Sequence, residues 1–174
     1  MMRARAALFV ASLVAGAVGS VGMLSCADAV HDQEVAALGG DVGPRGPDHR
    51  PGQPCLVCHG GEGPAKAQFS VAGTVYEDQG GGDAAVGAVV TIEDVTGRTQ
   101  TPTTNQAGNF YVSSSQWAPN YPTSMTVTSS DGTVQQFMLS HVNRDGSCAS
   151  CHTLHQGPAS PGPVYVNAAG SQGD

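Results

Sequence analysis

Phe69-Ser70-Val71-Ala72-Gly73-Thr74-Val75-Tyr76 has the pattern of a β-strand, and so do Val86-Gly87-Ala88-Val89-Val90-Thr91-Ile92 and Asn109-Phe110-Tyr111-Val112. Ser124-Met125-Thr126-Val127-Thr128 and Val134-Gln135-Gln136-Phe137-Met138-Leu139 continue the series. Each run is short, rich in β-branched residues and bounded by Gly, Asp, Asn or Pro, the pattern of strands in a small antiparallel sandwich. Asp131-Gly132 predicts a hairpin turn between the last two. The expected fold is mainly β, a small antiparallel β-sandwich over residues 69–139 with irregular or short-helical flanks.

Outside that segment the composition changes. Residues 27–68 hold 8 Gly and 5 Pro with little apolar periodicity, so residues 26–68 are expected to form an irregular arm. Residues 140–174 return to Gly, Pro and Ser and are expected to cover the surface or fray. At the start, Met1-Met2-Arg3-Ala4-Arg5 is a basic head and Ala6 to Leu24 an uncharged apolar run, together an export signal over residues 1–25. A membrane anchor is the competing reading, weakened by the Gly and Ser within the run. Met23-Leu24-Ser25-Cys26 resembles the lipobox of bacterial lipoproteins. That resemblance implies a diacylglycerol on Cys26, a membrane attachment through it, and a place at the outer membrane, cell surface or periplasm. Cleavage after Ala27-Asp28-Ala29 is the alternative, and it leaves no lipid.

The chain has 174 residues, of which 12% are charged and 5% aromatic, about half the usual charge density of a soluble domain. Seven basic and 14 acidic residues give a net charge of −7; without residues 1–25, which contain Arg3 and Arg5 and no acid, the balance is 5 against 14, or −9. Such a surface repels phosphate backbones and excludes nucleic acid as a partner. The acidic residues are scattered, with Glu77-Asp78 and Glu93-Asp94 the only adjacent pairs, and read as a solvated surface.

Val71-Ala72-Gly73-Thr74-Val75, then Gly87-Ala88-Val89-Val90-Thr91-Ile92-Glu93-Asp94, then Thr104-Asn105-Gln106-Ala107-Gly108-Asn109-Phe110 resembles the repeat pattern of carboxypeptidase-regulatory-like, or transthyretin-like, sandwich domains. The resemblance implies a fold and no activity, since such modules serve several purposes.

The chemistry lies at the two ends of that segment. Cys55-Leu56-Val57-Cys58-His59 and Cys148-Ala149-Ser150-Cys151-His152 are both C-x-x-C-H, the attachment motif of c-type haem. Two thiols at this spacing form thioethers to the two vinyl groups of one porphyrin, and the adjacent imidazole is brought to the iron. Two haem c groups are therefore expected, attached at Cys55, Cys58, Cys148 and Cys151, with His59 and His152 as proximal ligands. One zinc shared by both cysteine pairs is disfavoured because 89 residues lie between Cys58 and Cys148. Disulfides within each close pair would staple almost nothing, and a thioredoxin-like motif needs a βαβ setting that is not present.

His49, six residues before Cys55, and His141, seven before Cys148, are the expected distal ligands, with their pairing to the two haems open. His155 is the rival, because on a helical turn it would share a side with His152. His31 reads as a solvated residue of the arm, and Met125 and Met138 as core residues on strands. Bis-histidine ligation leaves the potentials low relative to a methionine ligand. Because it also leaves no open position on iron, the expectation is an electron carrier and not an enzyme. The alternatives are a haem enzyme of peroxidase or nitrite reductase type, which needs an open position and distal acid–base groups, and a surface-binding sandwich wired by haems, with Trp117 and Tyr121 as an aromatic platform.

Taken whole, haem motif, sandwich and haem motif resemble the small multihaem lipoprotein-type cytochromes of bacteria that respire on external acceptors. That resemblance implies extracellular electron transfer, redox partner proteins or other multihaem cytochromes, and stacking of haems between copies as a homo-oligomer or filament.

Overall fold

A computed structural model describes residues 28–41, 45–61 and 63–167. Cys26 and the export segment lie outside the described residues. The fold is mainly β, as expected, and all five predicted strands form. In chain order the elements are α1 (Ala29–Ala37), α2 (Cys55–His59), β1 (Phe69–Asp78), β2 (Val89–Asp94), β3 (Thr99–Gln100), β4 (Asn109–Ser113), β5 (Thr123–Thr128), β6 (Gln135–Phe137), a 3-10 turn (Cys148–Ser150) and β7 (Val164–Asn167).

Two sheets face each other, one of order β4-β1-β7 and one of order β3-β2-β5-β6. The four-stranded sheet is antiparallel throughout, with Val90 opposite Val127 and Ile92 opposite Met125. Those four side chains meet Val71, Val75, Phe110 and Val112 of the other sheet, and Ile92, Val71 and Val75 are fully buried. The hairpin predicted at Asp131-Gly132 joins β5 to β6. Ser129 Oγ, Thr133 N and Thr133 Oγ1 all donate to Asp131 Oδ1.

Two features add to the sequence reading, the first a short helix of the kind expected in the flanks. The arm contains a nine-residue helix, α1, capped by Asp28, whose carboxylate accepts from Val30 N and His31 N. The C-terminal flank supplies β7, which pairs in parallel with β1 through Val75–Val164 and Tyr76–Tyr165 and buries Val166 in the core. The three-stranded sheet is consequently mixed, and the sandwich reaches beyond residue 139.

Asp94 ties the β2–β3 turn to the loop before β5. It accepts from Thr96, from Arg98 and from Asn120 N, and the Arg98 guanidinium lies 5.9 Å from the Trp117 ring centroid. Trp117 is 6% exposed and belongs to the core, so its ring is no platform for a ligand.

β1 is buried from Val71 to Tyr76 without a break, so both of its faces are covered. Val71 and Val75 point into the sandwich core. Ala72, Thr74 and Tyr76 point the other way, onto the arm. The first motif is held on that outer face.

Candidate functional site

The first motif forms α2 and opens onto a cleft of about 740 Å³ between the arm and the outer face of the three-stranded sheet. Its walls include Val35 of α1 and Leu38 just after it, Phe69 and Ala72 of β1, and Cys55, Cys58 and His59 of α2. This volume lies within the range of roughly 300–1,000 Å³ typical of ligand pockets. Cys55, Cys58 and Cys148 are half-buried, Cys151 is exposed, and all four are free thiols.

A register irregularity between Phe69 and Val71 re-aims Phe69 to the outer face, a common use of a bulge. There it stacks on Tyr111 (centroids 4.5 Å, 15°) and on His59 (4.5 Å, 14°). The His59 ring is thus held between an aromatic face and a hydrogen bond, for its Nδ1 lies 2.8 Å from the carbonyl oxygen of Ala67. A carbonyl only accepts, so Nδ1 carries a proton, and in the neutral ring Nε2 is the nitrogen with the lone pair.

The second motif repeats this arrangement with different local structure. Cys148–Ser150 make one 3-10 turn, and the His152 amide donates to Cys148 O at 2.8 Å. His152 Nδ1 lies 3.0 Å from the carbonyl of Gly162, again leaving Nε2 free. Ser160 holds that return loop, its hydroxyl accepting from Thr153 N and Gly162 N.

β1 brings the two motifs side by side. Ser147 bridges to Ala72, and a Cβ at Gly73 would stand 2.7 Å from Cys148 Cβ and 2.8 Å from its Sγ. The missing side chain at Gly73 is what seats Cys148. Across the edge of the sheet, a Cβ at Gly52 would stand 2.5 Å from Tyr76 Oη and 3.3 Å from Leu154 Cδ2, so chain leading into the first motif touches chain leaving the second. Burial pushes the Cys148 thiol up to about 12, helped by the nearby Cys55 and Asp145. Burial also raises Cys55. Both thiols are un-ionised at neutral pH. Among the described residues no three His, Cys, Asp or Glu side chains gather into a group that could hold a metal ion.

Of the expected distal ligands, His49 is at the cleft. Its ring centroid lies 5.7 Å from that of His59, and its Nδ1 is bonded to Gly46 O. His141 is exposed, on the chain following β6, and does not line this cleft. His155 is exposed too, and residues 153–156 are not helical, so the helical-turn argument for it does not apply. Met125 is a core residue and Met138 packs against the core, as expected.

Three features were missed from sequence. His31 is not fully solvated: it shares the inner stripe of α1 with Val35 and Leu38, and its Nε2 is buried without a partner. The 31/35/38 spacing was the available signal. Arg50, at φ 51°, braces the cleft by donating to Asp41 (2.5 Å), Leu38 O (3.0 Å), Gln53 (2.7 Å) and Gly39 O (2.6 Å). The Arg50 hydrogen bond holds the Asp41 carboxyl below its ordinary range. Asn109 and Thr74 bond the arm, and their strand positions gave no hint of it.

Comparison with protein-family models, with curated proteins and with solved structures returned no match. Among the described residues no helix is long and apolar enough to cross a membrane.

Proposed function

We propose that the chain is an electron-transfer dihaem c-type cytochrome of the bacterial cell envelope or exterior, with one haem at each C-x-x-C-H motif. One observation carries this reading: both motifs pair, in sequence, two free thiols with an imidazole whose Nδ1 is committed to a backbone carbonyl and whose Nε2 is not. A metal-bound histidine nearly always has its other ring nitrogen tied in this way, which fixes the tautomer and the ring orientation. The same arrangement arises twice on unrelated local structure, a helix and a 3-10 turn.

The first site fits a porphyrin in character. Its apolar walls would cover the ring, Cys55 and Cys58 open onto it, and His59 is aligned by Phe69 and Ala67. Haem supplies, when bound, a one-electron iron couple whose potential depends on axial ligands and burial. Cys148 and Cys151 would hold the second haem, with His152 as its proximal ligand. His49 beside His59 supports a second imidazole at the first iron, filling the position a peroxidase or nitrite reductase would need open. Lipidation at Cys26 and placement at the outer membrane belong to the same proposal and rest on the sequence of residues 23–26. Acidic residues outnumber basic ones, which favours redox partners presenting cationic patches.

The test is spectroscopic. Purified holoprotein should show low-spin haem, fail to bind carbon monoxide when reduced, and titrate at midpoints well below those of methionine-ligated cytochromes. Rapid carbon monoxide binding at one haem would turn the reading toward an enzyme.

A further inference from the structure

We infer that Asn109, acting with Thr74, is the positioning residue that holds His49 over the first motif; the inference rests on the dihaem reading and deepens it. His49 sits in the arm between α1 and α2, where the described residues form no regular structure, yet this stretch is fastened to the sandwich at several points. Asn109 Nδ2 donates to His49 O at 3.0 Å and to Pro47 O at 3.2 Å. Asn109 Oδ1 accepts from Thr74 Oγ1 at 2.7 Å, and Thr74 Oγ1 accepts from Gly52 N at 2.8 Å. Asn105 Nδ2 donates to Pro47 O at 2.6 Å, and Asn105 Oδ1 in turn fixes the Asn109 amide N–H at 2.9 Å.

Every polar atom of the Asn109 side chain is therefore used, and each has one direction in which it works. The amide nitrogen faces two carbonyls and its oxygen faces a hydroxyl, so the network itself fixes which way the amide points. Asn109 is 7% exposed and Thr74 5%, which places these bonds away from competing water, where loss of one partner strands the others. The segment they grip, Pro47 to Gly52, contains Arg50 in the left-handed region, a conformation that persists only where surrounding contacts impose it. Thr74 and Asn109 are opposed across β1 and β4, so the grip is built on two paired strands of the sandwich. None of these groups hydrogen-bonds a cysteine or His59. Their hold on the site passes through the backbone of Pro47, His49 and Gly52.

The experiment uses full-length protein matured with haem attachment, with haem per chain measured first so that attachment and ligation are read separately. His49→Ala gives the reference state, in which one of the two haems becomes high-spin and binds carbon monoxide. Asn109→Ala is expected to move the same haem toward that state, and added imidazole to restore the low-spin spectrum. Thr74→Val should reproduce the change and Thr74→Ser should not, which separates loss of the hydroxyl from general disturbance of β1. Because Asn109→Ala removes a buried residue of β4, the Thr74 pair and the milder Asn105→Ala keep the test decisive. Wild-type spectra for Asn109→Ala and Thr74→Val, with two haems attached, would overturn the positioning role. A fully low-spin His49→Ala would overturn it as well, by removing His49 as the ligand. A chain that carries no haem at all would instead defeat the dihaem reading.

Discussion

Gly73 stands at the point where β1 and the second motif touch, and its lack of a side chain has a specific consequence. A valine there would drive its methyls into Cys148 Cβ and Sγ, already within 2.8 Å of the Cβ position. Gly73→Val is expected to lower stability by roughly 1–3 kcal/mol through overpacking and to leave haem at the first motif only. Unchanged attachment at both motifs, read by mass after separate digestion, would contradict this account of Gly73. Asp131 makes a different prediction. Three donors, led by the Ser129 hydroxyl, hold its carboxyl down at about 2. A depressed folded value contributes stability above the unfolded value of about 3.9 and loses it as pH falls through the folded one. The melting temperature of Asp131→Asn should therefore approach that of wild type between about pH 4 and pH 2, having been lower at neutral pH; a constant gap across that window would remove Asp131 from the acid response. His59 and His152 stand out by sequence spacing alone, because the motif is local. The carbonyls that orient them, at Ala67 and Gly162, are eight and ten residues away through irregular loops, and no periodicity announces such a partner.

Among the elements, the strands of the four-stranded sheet follow the pattern of their sequence. In β2, Val90 and Ile92 alternate with outward residues, and Ile92→Ala should cost roughly 2–5 kcal/mol in chemical denaturation; a loss below 1 kcal/mol would mean that Ile92 is less central than its complete burial indicates. β7 tests the sandwich from its other end. Val166 is 1% exposed although it lies in a flank that sequence marks as a tail. Val166→Ala is expected to cost about 2 kcal/mol, whereas a fraying tail would register nothing. The short run Val164–Asn167 was hidden because its partner, β1, lies nearly ninety residues earlier and pairs in parallel, so no local turn marks it. β3 has only two residues and no pattern to read. α1 was obscured by its shortness and by a histidine standing where an apolar residue would complete the stripe.

For the molecule as a whole, the three-stranded sheet is a shared partition. One face closes the sandwich core, and the other carries an arm with little apolar area of its own. The scarcity of aromatic residues fits this division, since two porphyrins would supply apolar surface that side chains do not. A variant with Cys55, Cys58, Cys148 and Cys151 all changed to Ala should retain β1–β7, because the core closes between the two sheets and Cys148 alone of the four packs against it. Its arm over residues 45–61 should be cleaved by protease at least tenfold faster than in holoprotein, as local opening rises where few buried contacts remain. Equal cleavage rates would mean that Asn109, Thr74 and Arg50 secure the arm unaided.

The central claim is tested most directly by the intact mass of the denatured full-length chain after expression with a haem-attachment system. The account predicts the polypeptide plus two covalently bound haems, falling to one when either cysteine pair is replaced. A bare polypeptide with four titratable thiols at residues 55, 58, 148 and 151 would contradict it.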